Sequence, residues 1–281
     1  MRRWMLPRSL VARAVMVIVA ACLGWLGWRV WVASVQREGV GWVERMGGYV
    51  MWHGERPGAP SARFLNGIGF PRTSSGFYFW DDVTEVGFMG SPAIGVEDLA
   101  RLRRMPALEG VCLAVATVGD AHLEPLREMR RLKSLDLTTA AITDRGLETV
   151  GGMSGLYALN LSSTPVTDDG MRHLARLTGL VSLDLTDTAV SDAGLRHLRP
   201  LPRLRDLKVD ERVTDAGIEE ILRHSQLRVL SFRNSPVTNA AMDRLMAGLP
   251  ELRFVHLFYT EVSADKMGEM EARGIRVEAA Y

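Results

Sequence analysis

Cysteine is nearly missing from this chain: Cys22 and Cys112 are the only two in 281 residues. No disulfide framework holds it together, so packing must, and neither thiol has the spacing or company of a zinc site. Lysine occurs only at Lys133, Lys208 and Lys266, which leaves arginine as almost the whole basic complement. There is no excess charge of either sign, with 34 Lys plus Arg against 33 Asp plus Glu. Dedicated nucleic-acid surfaces are strongly basic, so this balance argues against that class and no nucleic-acid partner is expected, although it leaves room for a local patch. Long apolar runs are absent too, apart from one near the N-terminus.

That run, residues 14–28, reads AVMVIVAACLGWLGW and carries no charge. Extended back to Leu10 it is interrupted only by Arg13, and about 20 apolar residues of helix span a bilayer. Trp25, Trp28 and Trp31 follow at the position of a membrane interface. The pattern predicts a cytoplasmic tail over 1–9 and a transmembrane helix or signal anchor over 10–31. Arg2, Arg3, Arg8 and Arg13 precede the apolar stretch, whereas Arg29, Arg37 and Arg45 are offset by Glu38 and Glu44. The positive-inside bias therefore places the body of the protein outside the cytoplasm. Val19-Ala20-Ala21-Cys22 is similar to a bacterial lipobox, which leaves lipidation at Cys22 as a second route to the membrane. A cleaved signal peptide is a third, and every version puts the body beyond the bilayer.

Residues 32–48 read as a helical linker that Gly47-Gly48 ends. Tyr49-Val50-Met51-Trp52 is a short strand, and the Pro- and Gly-punctuated stretch after it belongs to an N-terminal cap over 49–82. A solenoid needs such a cap on its exposed end.

The rest of the chain, 83–281, is periodic. Leucines recur at Leu108, Leu132, Leu156, Leu180, Leu204, Leu227 and Leu252. Each opens a unit such as Leu156-Tyr-Ala-Leu159-Asn-Leu161 or Leu180-Val-Ser-Leu183-Asp-Leu185. The in-and-out alternation within a unit marks a short strand. Val83-Thr-Glu-Val86-Gly-Phe88 keeps the phase one turn earlier, and Ile275-Arg-Val277 keeps it one turn later. Seven clear strands result, nine with the two ends. Between strands, sets such as Met171, Leu174 and Leu177 mark a return helix. No unit can bury its apolar face alone, so the units must stack into one core.

A second ladder runs through Asp120, Asp144, Asp168, Asp192, Asp215, Asn239 and Asp265. Thr143, Thr167, Ser191 and Thr214 precede four of its members, and Gly146, Gly170, Gly194 and Gly217 follow two residues later. Acidic residues at helix starts accept from free backbone donors, so each is expected to cap its own helix. Successive carboxylates lie in successive coils, which disfavours a shared metal.

The segment Val166-Thr167-Asp168-Asp169-Gly170-Met171 through Leu183-Asp184-Leu185-Thr186-Asp187-Thr188 resembles the leucine-rich repeat family, in its ribonuclease-inhibitor-like variant with a return helix. With its anchor, the chain also looks like membrane-anchored repeat proteins of planctomycete bacteria. The resemblance covers roughly 83–281. It implies an α/β solenoid, an arc or horseshoe with a parallel concave sheet and return helices. It also implies protein binding and carries no catalytic residues. The chain departs from the pattern at Arg212, where other coils have Thr164, Thr188 or Thr260. That coil is one residue short, which predicts a bulge in the arc.

The positions between the ladder leucines form the concave face. One row is Asp136, Asn160, Asp184, Lys208, Ser231 and His256. A second is Thr138, Ser162, Thr186, Asp210, Arg233 and Phe258, and a third is Ser134, Ala158, Ser182, Asp206, Val229 and Phe254. The first half is small, polar and somewhat acidic. The second half gathers Arg233, Phe254, His256 and Phe258, with Arg228 and Arg253 at the starts of their strands. Arginine and aromatics carry binding hot spots, so these six residues are the candidate partner site. An enzyme is not expected, because Asp136 and Asp184 lie two strands apart and His256 has no carboxylate in its own row. No cofactor or metal is called for. The reading is a membrane-tethered protein-binding module, with a structural or adhesive envelope protein as the alternative.

Overall fold

The computed structural model describes residues 40–52, 83–88, 94–114 and 117–280. The expected tail, anchor and Cys22, the first part of the linker and residues 53–82 of the cap lie outside the described residues. Among the described residues no helix is long and apolar enough to cross a membrane.

Ten strands form one sheet in chain order. They are β1 (Tyr49–Trp52), β2 (Val83–Gly87), β3 (Gly110–Cys112), β4 (Ser134–Asp136) and β5 (Ala158–Asn160), then β6 (Ser182–Asp184), β7 (Asp206–Val209), β8 (Val229–Arg233), β9 (Phe254–Phe258) and β10 (Arg276–Ala280). β1 pairs antiparallel with β2. The nine strands from β2 onward run parallel, as the leucine phase predicts. Leu135, Leu159, Leu183, Leu207, Leu230 and Val255 stand in register and are buried. The anchor leucines from Leu108 to Leu252 are buried with them, in one core that runs the length of the array.

Strands β4, β5 and β6 are each stopped by their own side chain. The Thr138 N–H donates to Asp136 Oδ1 at 2.9 Å, and Asn160 and Asp184 accept in the same way from Ser162 and Thr186. Such turns divert the backbone from the ladder. The next residue is then left-handed: Thr139 at φ 60°, Ser163 at 55° and Asp187 at 55°. Asn234 and Tyr259 repeat the device later.

The return helices begin on hydroxyl caps. Thr143, Thr167, Ser191 and Thr238 each accept the N–H two residues ahead. Several helices tighten to 3₁₀ geometry within a turn, as Asp168–Met171 does before Arg172–Arg176. The longer helices, Asn239–Gly248 and Ala264–Ala272, fall in the last coils.

The aspartate ladder departs from expectation. Its carboxylates do not cap their own helices; they reach the following coil. Asp120, Asp144, Asp168, Asp192 and Asp215 each accept the backbone N–H of that coil's Thr143, Thr167, Ser191, Thr214 or Thr238 at 2.7–2.9 Å. The same hydroxyl gives its proton to the second carboxylate oxygen at 2.6–2.8 Å. Every such hydroxyl thus donates backward and accepts forward. Asn239 makes the amide version of this contact with Ser263. The glycines that recur two residues after the ladder aspartates have the same origin. A Cβ on Gly146, Gly170, Gly194 or Gly217 would lie 2.2–2.4 Å from the preceding coil's carboxylate.

The expected bulge at Arg212 is also absent. Strand register passes from β6 through β7 to β8 without a shift. The missing residue comes out of the turn after β7, where no left-handed residue occurs. Elsewhere the residue at that turn donates to a neighbouring main-chain carbonyl, as Ser163 does to Thr186. Here the Asp210 side chain stands in, accepting the Asp187 N–H at 2.6 Å. That role explains why Asp210 is buried.

At the N-terminal end, residues 40–45 form a helical turn that Gly47 stops at φ 73°. Gly48 then passes so close to β2 that a Cβ would lie 2.6 Å from the Gly87 carbonyl. Trp42 packs on Phe88 with ring centroids 5.5 Å apart, and Val43 and Val50 are buried beside them. Residues 40–48, which the sequence assigns to the linker, thus cover this end of the core together with β1.

Candidate partner-binding face

The strand register builds the face directly. Val229, Phe254 and Arg276 are neighbours in one row, Ser231, His256 and Glu278 in the next, and Arg233, Phe258 and Ala280 in the third. Phe254 is 37% exposed, unusual for so large an apolar side chain in this fold. The Arg276 guanidinium lies 5.3 Å from the centroid of its ring. His256 and Phe258 stack with centroids 6.0 Å apart and planes 24° from parallel.

Four of the six residues singled out in the sequence therefore meet on one surface: Arg233, Phe254, His256 and Phe258. Arg233 is exposed and has no ion-pair partner among the described residues. Arg228 and Arg253 stand at the strand entrances, beside the face. Arg228 pairs with Glu251 at 3.6 Å, and Arg253 donates to the Pro250 and Leu252 carbonyls.

One expectation is corrected. His256 does have a carboxylate in its row, because Glu278 continues that row and lies 3.1 Å from His256 Nδ1. Arg276 and Glu278 were missed as face residues although the phase of Ile275-Arg-Val277 already aims both at the concave side. The row runs one strand beyond His256, onto β10.

The first half of the face is occupied with itself. Asp136, Asn160 and Asp184 each hold a turn N–H, as described above. In the middle, Lys208 Nζ meets Asp184 Oδ2 at 2.9 Å. Burial works against the Lys208 charge, but the Asp184 hydrogen bond and the charges of Asp184, Asp206 and Asp136 outweigh it and raise its pKa. Asp206 is pushed up first by burial, against the pull of Lys208 and the Ser182 hydroxyl. This pair of acids around one lysine separates the polar half from the arginine and aromatic half.

Among the described residues no group of three or more His, Cys, Asp or Glu is placed to hold a metal ion. His173 is half-buried with Arg172 Nε against its Nε2 at 3.3 Å, and His197 is exposed. Among the described residues the geometry offers a surface for contact.

Sheet, return helices and repeated inter-coil bonds define the class: an α/β repeat solenoid with a parallel sheet and interspersed helices. Residues 129–151 match the family model described as Leucine Rich repeat. That stretch is one coil, from the end of one return segment through β4 to the end of the next helix. No curated protein matches the chain. Among solved structures, an internalin (inlF) from Listeria monocytogenes str. 4b F2365 is similar at 17% identity. The likeness covers 66% of this chain and 70% of that one, with a TM-score of 0.37.

Proposed function

We propose that the chain is a membrane-tethered protein-binding module that presents the C-terminal part of its concave face outside the cytoplasm. The observation that carries this reading is the grouping of exposed Arg233 and Phe254 with Phe258 on one continuous surface. Aromatic and arginine side chains contribute most where water is excluded around them. A partner that offers a carboxylate beside apolar groups meets both needs of the patch. The apolar segment 10–31 supplies the tether, and the arginines before it set the orientation. The ribonuclease-inhibitor-like repeat variant belongs to the same proposal, on the strength of the return helices and the Thr-Asp-x-Gly spacing.

The test is capture from envelope extracts with the full chain against its Arg233→Ala, Phe258→Ala double variant. Hot-spot losses of about 2 kcal/mol predict recovery of a specific partner to fall at least roughly tenfold. Equal recovery of every partner would sink the patch and leave the structural or adhesive reading. Protease added to intact cells should degrade the repeat domain; full protection would overturn its placement.

A further inference from the structure

The two ends of the core are finished differently. At the N-terminal end the 40–45 turn and β1 cover it. At the other end β10 is the outermost described strand. Its core-facing Val277 and Ala279 pair with Val255 and Leu257, which are 0% and 1% exposed. Val277 itself is only half-buried and Ala279 is exposed. Asp265, the last member of the carboxylate ladder, is exposed and has no further coil to hold among the described residues.

The outer edge of β10 has a defined hydrogen-bonding phase. The Arg276 N–H donates inward to Arg253, and the Ala280 carbonyl accepts inward from Tyr259. Peptide groups alternate along a strand, so Val277 and Ala279 turn theirs to the open side. Unpaired edges of this kind invite another strand.

We propose that β10 is the seam of a two-fold dimer, in which a second copy of this chain adds its own β10 antiparallel, centred on Val277. The choice of occupant rests on charge complementarity. In that register Val277 faces its symmetry mate as a hydrogen-bonded pair. Arg276 then faces Glu278 of the other copy, twice, at non-hydrogen-bonded positions where side chains come closest. Centring the pair on Glu278 sets carboxylate against carboxylate. Centring it on Arg276 sets guanidinium against guanidinium. The sequence Arg276-Val277-Glu278 is thus self-complementary in one register and hostile in its neighbours. Both side chains have room for the role, since Glu278 is 61% exposed despite its contact with His256 and Arg276 is exposed above Phe254. An isologous contact of this kind closes on itself and forms no fibre.

Sedimentation equilibrium of the full chain in density-matched detergent tests this. The wild type should dimerise reversibly. Arg276→Glu or Glu278→Arg alone should weaken association at least roughly tenfold, since two attractive pairs become repulsive. The double exchange Arg276→Glu, Glu278→Arg should restore it. Ala279→Pro should also weaken association while leaving the thermal melt in place, because only an outward donor is removed. A wild type that stays monomeric at all concentrations overturns the proposal. So does a dimer indifferent to the single exchanges, or one that the double exchange fails to restore.

Discussion

Asp168 shows what a single side chain does in this molecule. Its two oxygens satisfy the Ser191 N–H and hydroxyl of the following coil. Asp168→Ala leaves both donors without their partner, so urea unfolding should show a loss of about 1–3 kcal/mol. Asp168→Asn should cost much less, because Asn239 already performs the same contact with Ser263. His224 gives a pH signature. Burial lowers its pKa below 6.5, against the raising effects of the Leu201 carbonyl and the Glu220 charge. As pH falls, the unfolded chain therefore takes up this proton before the folded one. Stability should drop from about pH 6.5 downward, until the folded ring itself is protonated. A melting temperature measured at about pH 7.5 and about pH 5.5 should show this slope, and His224→Gln should flatten it. The aspartates were legible in the sequence as a ladder, but their partners were not. A Thr-Asp-x-Gly motif reads along the chain as a helix start. The bond that explains it joins residues one whole coil apart.

At the scale of strands and helices, the leucine phase set every parallel strand, because alternation of buried and open positions is local. What escaped was turn chemistry. Thr139, Ser163 and Asp187 are left-handed without being glycine, so nothing in their identity announces it. The coil short of one residue looked like a bulge because the substitute for its lost backbone contact is the Asp210 side chain. Coil-to-coil fit makes a sharper prediction. A Cβ on Gly217 would meet Asp192 Oδ1 at 2.2 Å, so Gly217→Ala should destabilise by about 1–3 kcal/mol. In an Asp192→Ala background the clash is gone, and a double-mutant cycle should find the glycine substitution much milder. Additive costs would mean that the glycine is needed for some other reason.

Over the whole molecule, the character of the face side chains divides along the arc. The early strands use their polar side chains to stop themselves, which leaves little to offer a partner. The late strands are longer, end without an aspartate in the stopping position, and expose arginine and aromatics instead. Four of the six face residues were legible because strand alternation and leucine phase together decide direction. Arg276 and Glu278 required the last strand to be counted in full. The capture experiment with Arg233→Ala, Phe258→Ala reads partner recovery and the charge exchange at β10 reads self-association, so either can fail alone.

The hydroxyl-to-carboxylate contact between coils has one more consequence. Both halves of it are carried by every middle coil, so any such coil fits behind any other. Nothing in the joint counts how many there are. The length of the arc is set only by its two ends, and a whole coil is a unit that can be duplicated or lost without breaking a bond of a new kind. Excising residues 169–192 would bring Asp168 up to Ala193 and delete one Ser191 joint, yet Asp168 would face Thr214 as it once faced Ser191. The product should be a shorter arc with the same two faces brought nearer, a change in reach that small-angle scattering would register as a reduced maximum dimension.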